Sequence, residues 1–68
     1  MFLVIEIQKT GNQLSHIVTT HETQNEAESK FYTVLSYAAV SELDLHAATI
    51  LREDGRCIRT GCYEHLDE

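Results

Sequence analysis

The chain has 68 residues, eleven acidic and five basic, with no proline, no tryptophan and a formal net charge of −6. That length allows one domain, residues 1–68, and a hydrophobic fraction of 43% excludes intrinsic disorder. The acidic balance excludes a general nucleic-acid binder, which needs a basic face against the phosphates.

Residues 2–8 (FLVIEIQ) are β-branched and aromatic, as a packed strand requires. Leu3, Ile5 and Ile7 alternate as a clean core stripe; Phe2, Val4, Glu6 and Gln8 form the other, half-apolar face. Residues 9–13 hold Gly11-Asn12, a tight-turn pair, so residues 14–20 read as the return strand of a hairpin. Thr23 with Glu26, or Asn25 with Glu28, forms a candidate capping box ahead of a helix over 26–41. Glu26 and Lys30 are four apart, in the favourable order for a helical ion pair.

On that helix Ala27, Phe31, Val34, Leu35 and Ala38 form one apolar stripe to lie on a sheet. A second row, Tyr32, Ser36, Ala39, Val40 and Leu43, suits either plain surface or a contact with another copy. Residues 45–53 return to strand composition, Asp54-Gly55 signals a two-residue hairpin, and residues 56–63 form the last strand. Gly61 within it marks a bulge or a close backbone approach, and the acidic tail is expected to fray beyond His65. The sum is an α+β fold of order ββαββ: a four-stranded, mainly antiparallel sheet with one helix packed on one face. The other face, expected to carry Phe2 and Val4, exceeds what a soluble monomer normally exposes, so a second subunit is expected over it or over the helix flank.

Small size points the same way. So short a domain buries only about 60% of its unfolded surface, and domains of this size usually need a staple, a metal or an oligomer. Cys57 and Cys62 are five apart, which in a regular strand places them on opposite faces and excludes a mutual disulfide. They read as reduced thiols. The apolar start Met1–Ile5 has no basic region and meets Glu6 too early for a signal peptide, and no run is long enough to cross a membrane. The chain is expected to stay in the cytoplasm where it is made, as a homo-oligomer.

Few constellations carry chemistry. His16, His21, His46, Cys57, Cys62 and His65 could ligate a metal, and Cys62-x-x-His65 has suggestive spacing, but no second pair accompanies it. No metal, cofactor or catalytic residue is expected. Cys57 or Cys62 with His65 lacks the surroundings of a catalytic pair, and Glu53-Asp54 reads as a solvated turn. No phosphate-loop motif occurs.

The cations, however, are uneven. Arg52, Arg56 and Arg59 all lie on the second hairpin, and Lys30 lies near the helix start. Arg59 has the strand parity of Cys57, Gly61 and Tyr63. Guanidinium forks match phosphate oxygens, and tyrosine offers a stacking face for a base. The plainer reading of each arginine is an ion pair with Glu53 or Glu6. The candidate ligand-binding residues are Lys30, Tyr32, Arg56, Arg59, Tyr63 and His65, brought together across a subunit seam, where ligand pockets favour forming.

The stretches 2–8 (FLVIEIQ), 25–31 (NEAESKF), 38–41 (AAVS) and 62–65 (CYEH) resemble short phage and prophage proteins of gut-associated Gram-positive bacteria. In size, origin and architecture such proteins are similar to phage counter-defence proteins of the Sequestin and Lockin kind, which sequester nucleotide signals of bacterial immunity. The resemblance implies a non-enzymatic protein that binds an ADP-ribose derivative or a cyclic oligonucleotide at a homo-oligomer interface. The alternatives are an acidic protein–protein inhibitor, an accessory or virion-assembly module, and an enzyme that cleaves such a signal.

Overall fold

The computed structural model describes residues 1–65. Five elements follow in order: β1 (Phe2–Thr10), β2 (Gln13–His21), α1 (Gln24–Ala38), β3 (Leu45–Arg52) and β4 (Cys57–Glu64). All three strand pairings are antiparallel, and the sheet order is β2-β1-β3-β4. The expected ββαββ architecture is therefore the observed one. The two hairpins meet through β1 and β3, and α1 crosses one face. No helix among the described residues is long and apolar enough to cross a membrane. The fraying expected beyond His65 concerns residues 66–68, outside the described ones.

The turns follow local chemistry. At the first, only Gly11 has positive φ (60°), as in a turn that needs glycine at its first central position. The second is one residue longer than Asp54-Gly55 suggested. Arg52 and Arg56 close a loop of residues 53–55, with Arg52 N–H donating to the Arg56 carbonyl at 2.8 Å. Gly55 takes positive φ (89°), and Asp54 Oδ1 accepts the Arg56 N–H at 3.0 Å. The extra residue lets Gly55 absorb the left-handed step of a three-residue loop.

Helix α1 begins two residues before the expected start and ends three earlier. Thr23 is its N-cap; its Oγ1 accepts the Glu26 N–H at 3.2 Å. Thr23→Ala leaves that donor unmet in the protein and should lower stability by about 1 kcal/mol, read as a shift in urea midpoint. Of the anticipated stripe, Ala27, Phe31, Val34 and Ala38 are buried and Leu35 is partly so. The Glu26–Lys30 ion pair does not form among the described residues. Lys30 sits on the β1 side of the helix, where its charge acts on Glu6.

The structure overturns the face assignment of β1. Val4 is 1% exposed and packs with Ala27, Phe31, Val34, Ala48 and Ile50, with Phe2 beside them. The helix therefore covers the Phe2, Val4, Glu6 and Gln8 face. Leu3, Ile5 and Ile7 lie on the open face instead. The physical reason is the partner of Glu6, which is His46: His46 Nε2–H donates to Glu6 Oε2 at 2.6 Å, so the polar positions of this face are satisfied beneath the helix.

A second correction concerns β4. Ile50 pairs with Arg59 but Leu51 pairs with Cys57, so Ile58 is the extra residue of a bulge. The bulge reverses parity. Cys57 moves to the open face with Cys62, while Arg59, Gly61 and Tyr63 stay on the helix face. The cysteines thus share a face rather than opposing each other. They pair with Leu51 and Ala47, about 13 Å apart along β3, still beyond disulfide reach, and both are free thiols. Gly61 is the close approach rather than the bulge. A Cβ added there would lie 2.8 Å from Leu35 Cδ1.

Candidate functional site

The six candidate ligand-binding residues occupy four places. Tyr32 and Arg59 come together in a groove between α1 and β4, lined also by Phe31, Leu35, Ile58 and Thr60. The bulge at Ile58 and the missing side chain of Gly61 bring β4 against Leu35, which fixes the groove floor. Lys30 is on the opposite flank of α1, toward β1. Arg56 is at the tip of the second hairpin. Tyr63 and His65 lie at the other end of β4, beneath the C-terminus of α1. The structure does not bring all six together within one subunit.

In the groove, Arg59 Nε donates to Glu28 Oε1 at 2.6 Å. That hydrogen bond raises the guanidinium pKa further, and the guanidinium stays charged. The anticipated partners Glu53 and Glu6 are both engaged elsewhere, with the N-terminal amine and with His46. Glu28 escaped the sequence reading as an arginine partner because helix and strand meet only in three dimensions. Its spacing from Tyr32, one turn along the same flank, was the available signal. Only Nε of Arg59 is engaged among the described residues, so the outer guanidinium nitrogens remain free to donate. Tyr32 is 53% exposed and meets Phe31 edge-on at 5.2 Å, which holds its ring at the groove wall.

At the far end, Tyr63 and His65 rings stack with centroids 6.4 Å apart and planes 8° apart. His65 Nε2–H donates to the Ala38 carbonyl at 2.8 Å, and His65 N–H donates to the Asp44 carbonyl. His65 therefore caps the C-terminus of α1, a structural task that engages its Nε2. Tyr63, at 43% exposure, presents one face to solvent.

The potential metal and nucleophile residues are dispersed. Cys62 faces the open side of the sheet, whereas His65 reaches back to the helix. His46 is buried against Glu6. No group of three or more His, Cys, Asp or Glu side chains is poised to hold an ion among the described residues. A smaller hollow of about 180 Å³ lies at the end of the sheet beside Lys9, Asp44, Leu45 and Glu64. It is below the usual size of a small-molecule pocket. No protein-family model, curated protein or solved structure matches the chain.

Proposed function

We propose that the chain is a non-catalytic binding protein that acts as a homo-oligomer and sequesters a nucleotide-derived signal. The observation that carries this reading is the α1–β4 groove, where an exposed tyrosine ring and an arginine with unused donors stand side by side. Tyr32 would stack on a base, and the outer nitrogens of Arg59 would take phosphate oxygens while Glu28 fixes the guanidinium plane. The groove is open, so one subunit covers a ligand from one side only. A second copy that closes along the helix flank at Tyr32, Ser36 and Val40 when ligand is bound supplies the other wall and brings Lys30, Arg56, Tyr63 or His65 within reach. In a phage protein, which the sequence resembles, such sequestration would blunt the nucleotide signals of bacterial defence.

Calorimetry against ADP-ribose and cyclic dinucleotides tests this. Binding is expected for one class, abolished by Arg59→Ala and weakened about tenfold or more by Tyr32→Ala. Arg59→Lys should not restore it, because an ammonium lacks the planar fork. Absence of heat with every ligand on a folded oligomer overturns the reading.

A second reading is an acidic protein–protein inhibitor. It is favoured by the Arg59–Glu28 pair, which offsets the groove's positive charge, and by exposed Glu22, Glu26, Glu42, Glu53 and Asp54. A stoichiometric basic protein partner, with no small-molecule heat, selects it over the first.

A further inference from the structure

We infer that the open face of the sheet is a self-association surface, and that two copies pack on it face to face about a twofold axis parallel to the strands. This surface is distinct from the helix-flank contact proposed above, which closes on a bound ligand, and the inference is independent of that ligand. Leu3, Ile5 and Ile7 of β1, Leu14 and Val18 of β2, and Leu51 of β3 lie on this face. Leu14 is 70% and Val18 47% exposed.

Charge is segregated away from it. Among the described residues, Lys9 and Glu64 are the charged side chains whose register places them on this face, in a chain with eleven acidic and five basic residues. The other described acidic residues sit on the helix, in the loops and beneath the helix. Four strands of eight residues make a face of about 19 by 26 Å. Two such faces remove about 1,000 Å² from water, the threshold for a specific interface.

The side chains also select the symmetry. A twofold axis parallel to the strands, between β1 and β3, lays β1 over the partner's β3 and β2 over the partner's β4. The large row Leu3, Ile5 and Ile7 then meets the smaller row Leu51, Thr49 and Ala47 of a second copy, so bulk faces space along the strand. Lys9, Leu45 and Glu64 share one register level. Within one subunit Lys9 and Glu64 are two strands apart, and no ion pair joins them among the described residues. Across the axis, Lys9 of each copy comes beside Glu64 of the other, which gives two ion pairs at the rim. An axis perpendicular to the strands would send these charges to opposite ends. This arrangement leaves both α1–β4 grooves on the outer faces of the dimer.

Sedimentation velocity on the ligand-free protein over a concentration series is the test, with circular dichroism as the check of folding. The wild type should be dimeric. Ile5→Glu should be a folded monomer, because it places a charge at the centre of the seam. Lys9→Glu and Glu64→Lys should each weaken dimerisation about tenfold, through two repulsive pairs, and the double exchange should restore it. A monomeric wild type up to its solubility limit, a dimeric Ile5→Glu, or a double exchange that restores nothing overturns the inference. A dimer without nucleotide heat removes only the ligand reading, and nucleotide heat on a protein that is monomeric until ligand is added removes only this one.

Discussion

Ile50→Ala should leave the protein largely unfolded at moderate temperature. Ile50 is 0% exposed, in the second half of β3, and is enclosed by Val4, Ala27, Phe31, Val34 and Ala48. Truncation removes the transfer free energy of its lost carbons and leaves a cavity, together about 2–5 kcal/mol. A chain of this length has about 3–10 kcal/mol of stability in total. The loss therefore takes a large share of what holds the fold. For a domain this size each kcal/mol shifts the melting temperature by about 4–8 °C, so a drop of about 15 °C or more is expected. Ile17→Ala is the matched control. Ile17 is 50% exposed on the edge strand β2, and its truncation should cost under about 1 kcal/mol. Melts of both variants at equal protein concentration decide the matter, since any self-association makes the midpoint concentration-dependent. Equal midpoints would show that the core does not centre on Ile50.

The burial of Ile50 and Val4 also shows what the sequence makes legible. Periodicity locates all five elements, because strand alternation, the Gly11-Asn12 pair and the Thr23 cap act over a few residues. It also selects the right helix stripe, since α1 has one apolar side and one polar side. It assigns the wrong face to β1, because both faces of that strand are apolar enough to be buried. Glu6 and Gln8 leave the inner face only half-apolar in sequence, and their compensation comes from His46, forty residues beyond Glu6. The same limit applies to β4. A single bulged residue, Ile58, returns Cys57 to the parity of Cys62, and nothing in the local pattern marks it. Of the candidate site, the pairing of a tyrosine with an arginine is visible in the sequence only as composition. Tyr32 and Arg59 meet because the helix flank and the last strand converge, and Glu28 enters by the same convergence.

The Glu6–His46 pair carries the second large effect, and its size depends on whether one partner or both are removed. Glu6 Oε2 accepts from His46 Nε2 at 2.6 Å and from Gln8 Nε2 at 2.9 Å. His46 is 5% exposed, and its Nδ1 has no hydrogen-bond partner among the described residues. Glu6→Ala would strand the other ring nitrogen as well, so it should cost about 3–5 kcal/mol. Replacing both, Glu6→Leu with His46→Leu, should recover most of that loss, because the buried imidazole goes with its partner and only the half-buried Gln8 amide loses an acceptor.

The acid limb separates charge from packing. Burial pushes the Glu6 carboxyl up, but the hydrogen bonds from His46 and Gln8 and the charges of His46 and Lys30 outweigh it and hold the group below its ordinary value of 4.5. A carboxyl depressed in the folded state contributes stability that is present above its unfolded value and is lost as pH falls through the folded one. Urea midpoints of the wild type should therefore fall as pH drops below 4.5, and Glu6→Gln should remove part of that slope. The double leucine variant should show the same flattening with higher stability than Glu6→Ala. If Glu6→Ala instead matches the wild type near neutral pH, the buried pair contributes nothing, and the inward turn of this face rests on Val4 and Ile50 alone.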